Sequence, residues 1–409
     1  MTSSNTEDTT NPIRSPWPYL CLVFLTYALT NFNLHRLQPI LPTVMATFNI
    51  DVAQAGVLIS TATFLNIIIT FPIGIMITKI GIRRAGLLSM AFLFCGALIG
   101  SAVTSYSSTI IALVLGGIGN VFISVSGLAF IGLLFRKKNN VTSTSIFIAS
   151  ATFAQFLTFI ILPRITTVGN IKPAWYIDCV MGFICFFLWL IFVRKAKIDR
   201  LMAENTDNDL NEDDKEIISS YIRRVLGNSM IWKQAFSIFI FTVAVVGALG
   251  YLPTYLVSER GWELKYASSI CSLNALVACV SAISSGIISD RLNTKKWIFF
   301  GIVILLALLR ILQITVPGGS ILVAVTILQG VPSGGTSQVI SSVTHLIKDP
   351  RENSIRAAML ITSQLCGIAL GPVIFGYLIR SLGYNTSFII LAPLALISLF
   401  GIFSIKNAR

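Results

Sequence analysis

The sequence predicts an all-α integral membrane protein with twelve transmembrane helices in two pseudo-symmetric bundles of six. Composition is the first reason: the 409 residues are 55% hydrophobic and 11% charged, whereas a soluble domain carries about 25% charged residues. Length is the second, because a spanning helix takes about 20 apolar residues and the chain has room for about twelve. The third is a basic turn that occurs twice, about half a chain apart, which indicates an internal repeat.

The elements follow in order along the chain. Residues 1–16 are polar and rich in Ser and Thr, and we expect a cytoplasmic tail, not a cleavable signal peptide. The first bundle is predicted over 17–193, and the second bundle with a short cytoplasmic tail over 233–409. The apolar stretches place the spans at 17–42, 52–78, 85–104, 108–135, 141–163, 174–193, 233–256, 266–289, 297–316, 320–347, 354–379 and 385–405.

The segment 194–232 differs in kind from both bundles. It is polar and contains an acidic run that ends at Glu212-Asp213-Asp214. Its apolar residues between Lys215 and Gly227 recur at helical spacing. We therefore expect a cytoplasmic linker that carries a short amphipathic helix on the inner face of the membrane.

The distribution of charge indicates a topology. A net charge of +13 could indicate a nucleic-acid partner, but most of the 30 lysines and arginines fall in one set of alternating loops. That asymmetry is the positive-inside pattern. It predicts a multi-pass protein of the cell membrane with both termini in the cytoplasm, in contact with lipid and not with nucleic acid. The seven cysteines all fall in predicted spans, so no disulfide framework is expected.

The repeated turn has the same pattern in both copies. Each copy opens with a glycine at the end of an apolar helix and closes with a basic pair. The residues expected to act in gating are Gly74, Gly81, Arg83 and Arg84 in the first copy and Gly286, Asp290 and Arg291 in the second. Tyr251 and Tyr255 are candidates for gating the outer mouth.

These turns resemble the signature loops of the major facilitator superfamily, and Leu252–Gly261 is similar to the end of that superfamily's seventh span. The resemblance covers essentially the whole chain. It implies alternating access, in which two bundles rock around a central site. It also implies that an acidic residue of the loop locks the inner side, but the first copy has Thr78 where the family usually has Asp. The loop either locks the two halves on the inner side or is simply a basic turn that fixes the topology, and both interpretations remain open.

Charged residues inside the predicted spans indicate where a binding site lies, and the first span contains one of them. No Asp or Glu is expected deep in any span; Asp178 is predicted near the outer end of the sixth. The interior cations are Arg36, beside His35, and Arg310, which could snorkel to the interface from the outer third of its span. A buried arginine costs about 2.5–3.5 kcal/mol. Backbone carbonyls, polar side chains, water or an anionic substrate could offset that cost.

Polar residues around Arg36 suggest a binding site. Tyr27, Asn31, His35 and Gln38 share one helical face, and a guanidinium fork suits a carboxylate or phosphate. The run from His35 to Pro39 resembles a His-Arg-x-x-Pro subset of the superfamily. His35 is either a coupling-proton carrier or a neutral hydrogen-bonding residue, and Arg36 either binds substrate or is a structural tie. The predicted substrate-binding residues are Arg36, His35, Asn31, Gln38, Tyr27, Asn120, Gln155, Asn274 and Gln338.

The function predicted from these features is a monomeric secondary transporter for a small organic anion, coupled to protons or working by exchange. The alternative is an exporter of drugs or other amphipathic compounds, although residues 145–163 lack the Gly-rich, Pro-containing signature of proton-driven drug exporters in span five. A non-transporting sensor is less favoured, because the chain has neither a soluble signalling domain nor a long tail. The sequence shows no phosphate-binding loop and no metal-ligand spacing, so no enzyme activity and no cofactor are expected.

Overall fold

The computed structural model describes residues 16–102, 105–135, 140–193, 223–292, 295–334 and 350–403, which are helical almost throughout. We number the spans α1 to α12. The first half contains α1, with a helix, a 3₁₀ turn and a second short helix, followed by five further spans. Their bounds are Trp17–His35, Gln38–Ile40 and Leu41–Phe48 (α1), 52–80 (α2), 82–102 (α3), Tyr106–Leu134 (α4), Asn140–Ile165 (α5) and Pro173–Phe192 (α6).

The second half repeats this organisation with two interrupted spans, α7 and α10. The bounds are Ser229–Leu249 and Leu252–Ser258 (α7), Leu264–Leu292 (α8), Lys295–Thr315 (α9), Gly319–Leu328 and Gly330–Gly334 (α10), 350–382 (α11), and 384–397 with Leu399–Phe403 (α12). Each of the twelve predicted spans overlaps a helix in these ranges, although the tenth, predicted over 320–347, is described only as far as Gly334. The prediction of an all-α membrane fold is therefore confirmed. Most of the predicted amphipathic helix, and residues 194–222 in general, lie outside the described residues.

Two single glycines reverse the chain between long helices. Gly81 has φ 81° between α2 and α3, and Gly383 has φ 77° between α11 and α12. Glycine adopts positive φ without a Cβ penalty, so each reversal needs no longer loop. The pairs α2–α3 and α11–α12 are therefore helical hairpins with one-residue turns.

Side chains fix the loop between α1 and α2. Asn49 ends α1 in a left-handed conformation with φ 52°. Asp51 and Gln54 then form a reciprocal capping box, in which Asp51 Oδ1 accepts from the Gln54 backbone N–H at 2.8 Å and Gln54 Oε1 accepts from the Asp51 N–H at 3.0 Å. These contacts set the start of α2.

One buried apolar cluster is shared by the two halves. In it, Leu37 and Ile40 of α1 pack with Tyr251 and Leu256 of α7 and with Phe375 of α11. This cluster lies at the end of the molecule that carries the loops poor in basic residues, which we call the outer end. Separate clusters fill the interior of each half. The two halves are thus packed together at the outer end.

Candidate substrate and coupling site

Arg36 lies at the point where α1 stops being a regular helix. The helix ends at His35, and a 3₁₀ turn follows from Gln38. Pro39 has no N–H to donate to a helical ladder, which explains the change of geometry there. The Arg36 side chain is fully buried.

The guanidinium of Arg36 pairs with a carboxylate of α6. Arg36 Nη2 donates to Asp178 Oδ2, and both side chains have no exposed surface. Asn33 Nδ2 donates to the same oxygen at 2.8 Å. The Trp175 ring lies 3.8 Å from Arg36 Cζ, within the range of a cation–π contact. All four residues belong to the first half of the molecule.

This pair corrects one expectation from the sequence. Asp178 lies near the outer end of α6, as expected, but it is fully buried and pairs with Arg36, so the expectation that no carboxylate is available to Arg36 is wrong. Asp178 is close in sequence to the start of α6 at Pro173, but its side chain points toward the irregular part of α1 and away from the outer surface. The charge of Arg36 is therefore balanced inside its own half, and the absence of a nearby acid no longer supports an anionic substrate.

Glycines on two neighbouring helices make room for this cluster. A Cβ at Gly100 of α3 would overlap the Trp175 ring, and a Cβ at Gly116 of α4 would overlap the Asn33 amide. Both glycines are therefore required by close packing against larger partners.

Several polar atoms of the cluster lack hydrogen-bond partners among the described residues. They are Arg36 Nε and Nη1, Asp178 Oδ1 and Asn33 Oδ1, all of them buried. A buried guanidinium–carboxylate pair is strongest when it is bidentate, and this one makes a single contact. The ion pair is therefore only partly satisfied by the protein.

The other predicted residues of α1 occupy a different face. Tyr27 stacks on Phe147 of α5 with ring centroids 4.2 Å apart, and Asn31 Nδ2 donates to the Tyr27 carbonyl at 2.9 Å. His35 is partly exposed and Gln38 is buried. The structure thus separates Tyr27, which lies against α5, from Arg36, which pairs with α6.

The remaining predicted substrate-binding residues are dispersed. Asn120 Nδ2 donates to Thr30 Oγ1 at 3.1 Å, which links α4 to α1. Asn274 Nδ2 donates to the Thr326 carbonyl at 2.8 Å, which links α8 to α10. Gln155 is partly exposed on α5, and Gln338 lies outside the described residues. Asn120 and Asn274 therefore have interhelical contacts of their own.

The signature turn is described mainly in its first copy. Gly81 forms the reversal, and Arg83 Nη2 donates to the Leu190 carbonyl of α6 at 3.3 Å. Arg84 is exposed and Gly74 partly exposed. In the second copy, Gly286, Asp290 and Arg291 belong to α8, and the surroundings of these three residues lie outside the described part of the structure.

A second buried arginine in α9 was only partly anticipated. Arg310 is 2% exposed, so it does not snorkel to the interface. Its Nη2 donates to the carbonyls of Ala244 and Val245 at 3.2 Å each, and its Nη1 donates to Gln329 Oε1. Gln329 Nε2 continues the chain to Gln313 Oε1 at 2.9 Å. The groups that contact Arg310 are all neutral, and no feature of the sequence indicated that α7 would supply carbonyls to this arginine.

The two halves meet through hydrogen bonds at the outer end. The Tyr251 hydroxyl lies 3.0 Å from the Val52 carbonyl of α2 and 3.1 Å from the Pro372 carbonyl of α11. A Cβ at Gly56 would come within 2.6 Å of the Pro372 carbonyl oxygen, and one at Gly376 within 2.9 Å of the Val52 oxygen. Glycine is needed at both positions for α2 and α11 to approach so closely. This geometry supports the gating position predicted for Tyr251.

Two helical halves that pack together at the outer end, each with its own buried polar cluster, form the kind of fold that membrane transporters of small solutes have. The Major Facilitator Superfamily model matches residues 20–320 and 295–408, so the chain belongs to that superfamily. The chain is similar to the hexuronate transporter of Bacillus subtilis (strain 168), with 19% identity over 399 residues and 92% of each chain covered. The narrower His-Arg-x-x-Pro subset stays a prediction.

Solved transporters share the fold at low identity. A bacterial homologue of the human lysosomal transporter Spinster, in an inward-facing and occupied conformation, superposes with a TM-score of 0.76 at 13% identity, covering 95% of this chain and 97% of the other. The nucleoside transporter NupG gives a TM-score of 0.75 at 14% identity, covering 95% and 98%. These structures show the fold, and membership of the superfamily identifies the chain as a multi-pass membrane transporter and not an enzyme.

Proposed function

We propose that this protein is a secondary transporter that carries a small organic anion by alternating access, with proton symport or anion exchange as the energy source. The observation that carries the proposal is an imbalance of buried charge. Among the residues that the structure describes, the buried side chains of the charged type are Arg36, Arg310 and Asp178. There is one carboxylate for two guanidinium groups, so the described interior carries more positive than negative charge.

An excess positive charge in a low-dielectric interior favours an anion nearby. Charges interact much more strongly there than in water, and a cleft lined by one sign of charge concentrates the opposite sign. Arg310 contributes to the positive electrostatic potential of this interior, because its hydrogen bonds go to neutral groups that do not cancel its charge. The similarity to a hexuronate transporter supports a sugar acid as the first class to test.

The partly exposed face of α1 is our candidate for direct recognition. Tyr27 and His35 are partly exposed there, beside buried Asn31. Phenol, imidazole and amide groups can donate to and accept from the hydroxyl and carboxylate oxygens of a sugar acid. In this proposal Arg36 acts through its field and its partner Asp178, and not by direct contact with the solute.

Counterflow in proteoliposomes tests the substrate class. Vesicles loaded with unlabelled D-glucuronate are expected to take up labelled D-glucuronate, and external D-glucuronate should compete while neutral D-glucose should not. The cation tetraphenylphosphonium should also fail to compete. Competition by tetraphenylphosphonium without uptake of D-glucuronate would instead support the exporter of amphipathic compounds.

A matched pair of histidine variants tests the recognition face. We expect His35→Ala to reduce counterflow, because the imidazole is lost from the proposed surface. The other histidine of the chain, changed in His345→Ala, is the control and should leave counterflow unchanged. Counterflow by His35→Ala at the same rate as by His345→Ala would show that His35 does not take part in recognition.

A further inference from the structure

The pair formed by Asp178 and Arg36 has the geometry of a proton-binding site. We propose that Asp178 takes up and releases the proton that couples transport to the proton gradient, an inference that rests on the proposed function. The step moves one proton from water to Asp178 Oδ1, where an O–H bond forms, and the reverse step returns the proton to water on the other side. No oxidation or reduction is involved.

The carboxylate has one occupied and one free oxygen. Oδ2 accepts from both Arg36 Nη2 and Asn33 Nδ2, whereas Oδ1 has no partner and is buried. A proton on Oδ1 therefore displaces neither hydrogen bond to Oδ2. A fully satisfied bidentate pair would offer no such position.

Arg36 keeps a partner when Asp178 becomes neutral. Its guanidinium carbon lies 3.8 Å from the centroid of the Trp175 ring. That attraction comes from the ring quadrupole and does not depend on the charge of Asp178. The cluster therefore holds the arginine in both protonation states, which a reversible proton site requires.

Few ionisable groups face Asp178. The elements around the cluster are α1, α3, α4 and α6, and α3 and α4 meet it with Gly100 against the Trp175 ring and Gly116 against the Asn33 amide. His35 precedes Arg36 on α1, where it is partly exposed. The charged or titratable groups closest to Asp178 in the described structure are Arg36 from α1 and the partly exposed thiol of Cys179 from α6 itself.

The irregular part of α1 connects this pair to the contact between the halves. Three residues after Arg36, the Pro39 carbonyl accepts from Ser268 Oγ of α8 at 3.1 Å. Leu37 and Ile40 belong to the apolar cluster that includes Tyr251. A change in the charge of Asp178 thus acts on Arg36, and the residues that follow Arg36 in the chain belong to the contact between the two halves at the outer end. This gives protonation a physical route to the transport cycle.

Infrared difference spectroscopy on the reconstituted full-length protein tests the site without a transported solute. Acidification of the wild type should produce a carbonyl-stretch band of a buried protonated carboxyl group. The band should be absent in Asp178→Asn and present in Asp51→Asn, which removes an acid of the loop between α1 and α2. The double variant Arg36→Gln with Asp178→Asn provides a charge-neutral version if the single variant does not fold. A wild-type spectrum without the band, or a band that persists in Asp178→Asn, would overturn the proposal.

Transport measurements separate this proposal from the proposed function. An inward proton gradient should accelerate D-glucuronate uptake by the wild type on the order of tenfold. Asp178→Asn should lose this acceleration, and Asp178→Glu should recover part of it. Gradient-driven uptake that survives Asp178→Asn would refute the coupling role. Failure of the wild type to carry D-glucuronate would refute only the substrate class, because the infrared result is independent of it.

Discussion

At the scale of single residues, the partly satisfied ion pair in the first half is the feature with the largest energetic consequence. Arg36 and Asp178 are both fully buried and share one hydrogen bond. Removing one partner from a buried pair leaves an uncompensated charge, which is more destabilising than removing both. The pair is therefore expected to show strong non-additivity.

We predict that Arg36→Ala destabilises the protein by about 3–5 kcal/mol, because Asp178 is left buried without its counter-charge. The double variant with Asp178→Ala should lose less than the sum of the two single changes. Denaturant unfolding in detergent for the four members of the cycle measures the coupling. Arg164→Ala, at an exposed arginine of α5, is the control and should change stability little. Additive losses in the cycle would show that the two side chains do not interact.

The residues of this site show what a sequence can and cannot predict. Arg36 was identifiable because a cation in an apolar stretch is rare and expensive. Its partner was missed because Asp178 lies near the end of α6, and sequence position does not reveal which way a side chain points. The rotation of about 100° between His35 and Arg36 likewise decides which of the two side chains pairs with α6. Only the packing of α1 against its neighbours fixes that rotation.

At the scale of elements, glycines decide how closely the helices pack around the site. Gly100 lies against the Trp175 ring, so any side chain there would push α3 from α6. Gly132 in α4 has open space around its Cβ position and offers a matched comparison. The sequence showed glycine-rich stretches but not which of them face a bulky partner.

We predict that Gly100→Ala destabilises the protein by about 1–3 kcal/mol through overpacking against Trp175. Gly132→Ala should be neutral or slightly stabilising, because alanine is the better helix former. Thermal unfolding of both variants in the same detergent makes the comparison. If the two variants had equal stability, the close contact between α3 and Trp175 would be excluded.

The boundaries of the helices were largely predictable, and their interruptions were not. The apolar stretches placed all twelve spans, because the bilayer requires long apolar helices. The break in α7 between Leu249 and Leu252, and the 3₁₀ turn in α1, left no hydropathy signal. A proline accompanies each of them, Pro39 in α1 and Pro253 in α7, and in α7 Arg310 also donates to two carbonyls shortly before the break.

At the scale of the whole molecule, the two halves are joined at the outer end by α2, α7 and α11. Tyr251 and the glycines at 56 and 376 form this closure. Alternating access requires that it opens during the cycle. A side chain that prevents the close approach should therefore shift the population toward the outer-open state.

We predict that Gly56→Ala increases labelling of Cys271, a buried member of the outer cluster, by a water-soluble maleimide. The added Cβ would press on the Pro372 carbonyl, and overpacking of about 1–3 kcal/mol is enough to change a two-state population several-fold. The measurement uses a background in which the other cysteines are alanine. Gly301→Ala, where a Cβ meets open space, is the control. Unchanged labelling in Gly56→Ala would contradict the closure described for α2 and α11.

The topology predicted from charge asymmetry also belongs to this scale. A peptide tag after Arg409 should be cleaved by protease only in inside-out vesicles, because both termini are predicted to be cytoplasmic. A tag inserted at Gly169, in the exposed turn between α5 and α6, should be cleaved only from the opposite side. The reverse pattern would invert the assignment of outer and inner ends.

The one-residue reversals at Gly81 and Gly383 determine which parts of the molecule move as units. α2 ends in the Gly81 turn and α11 ends in the Gly383 turn, and neither turn contains spare chain to absorb a displacement. Separation of Val52 from Pro372 at the outer end therefore carries α3 along with α2 and α12 along with α11. The units that move in the transport cycle are therefore expected to be the α2–α3 and α11–α12 hairpins and not single helices.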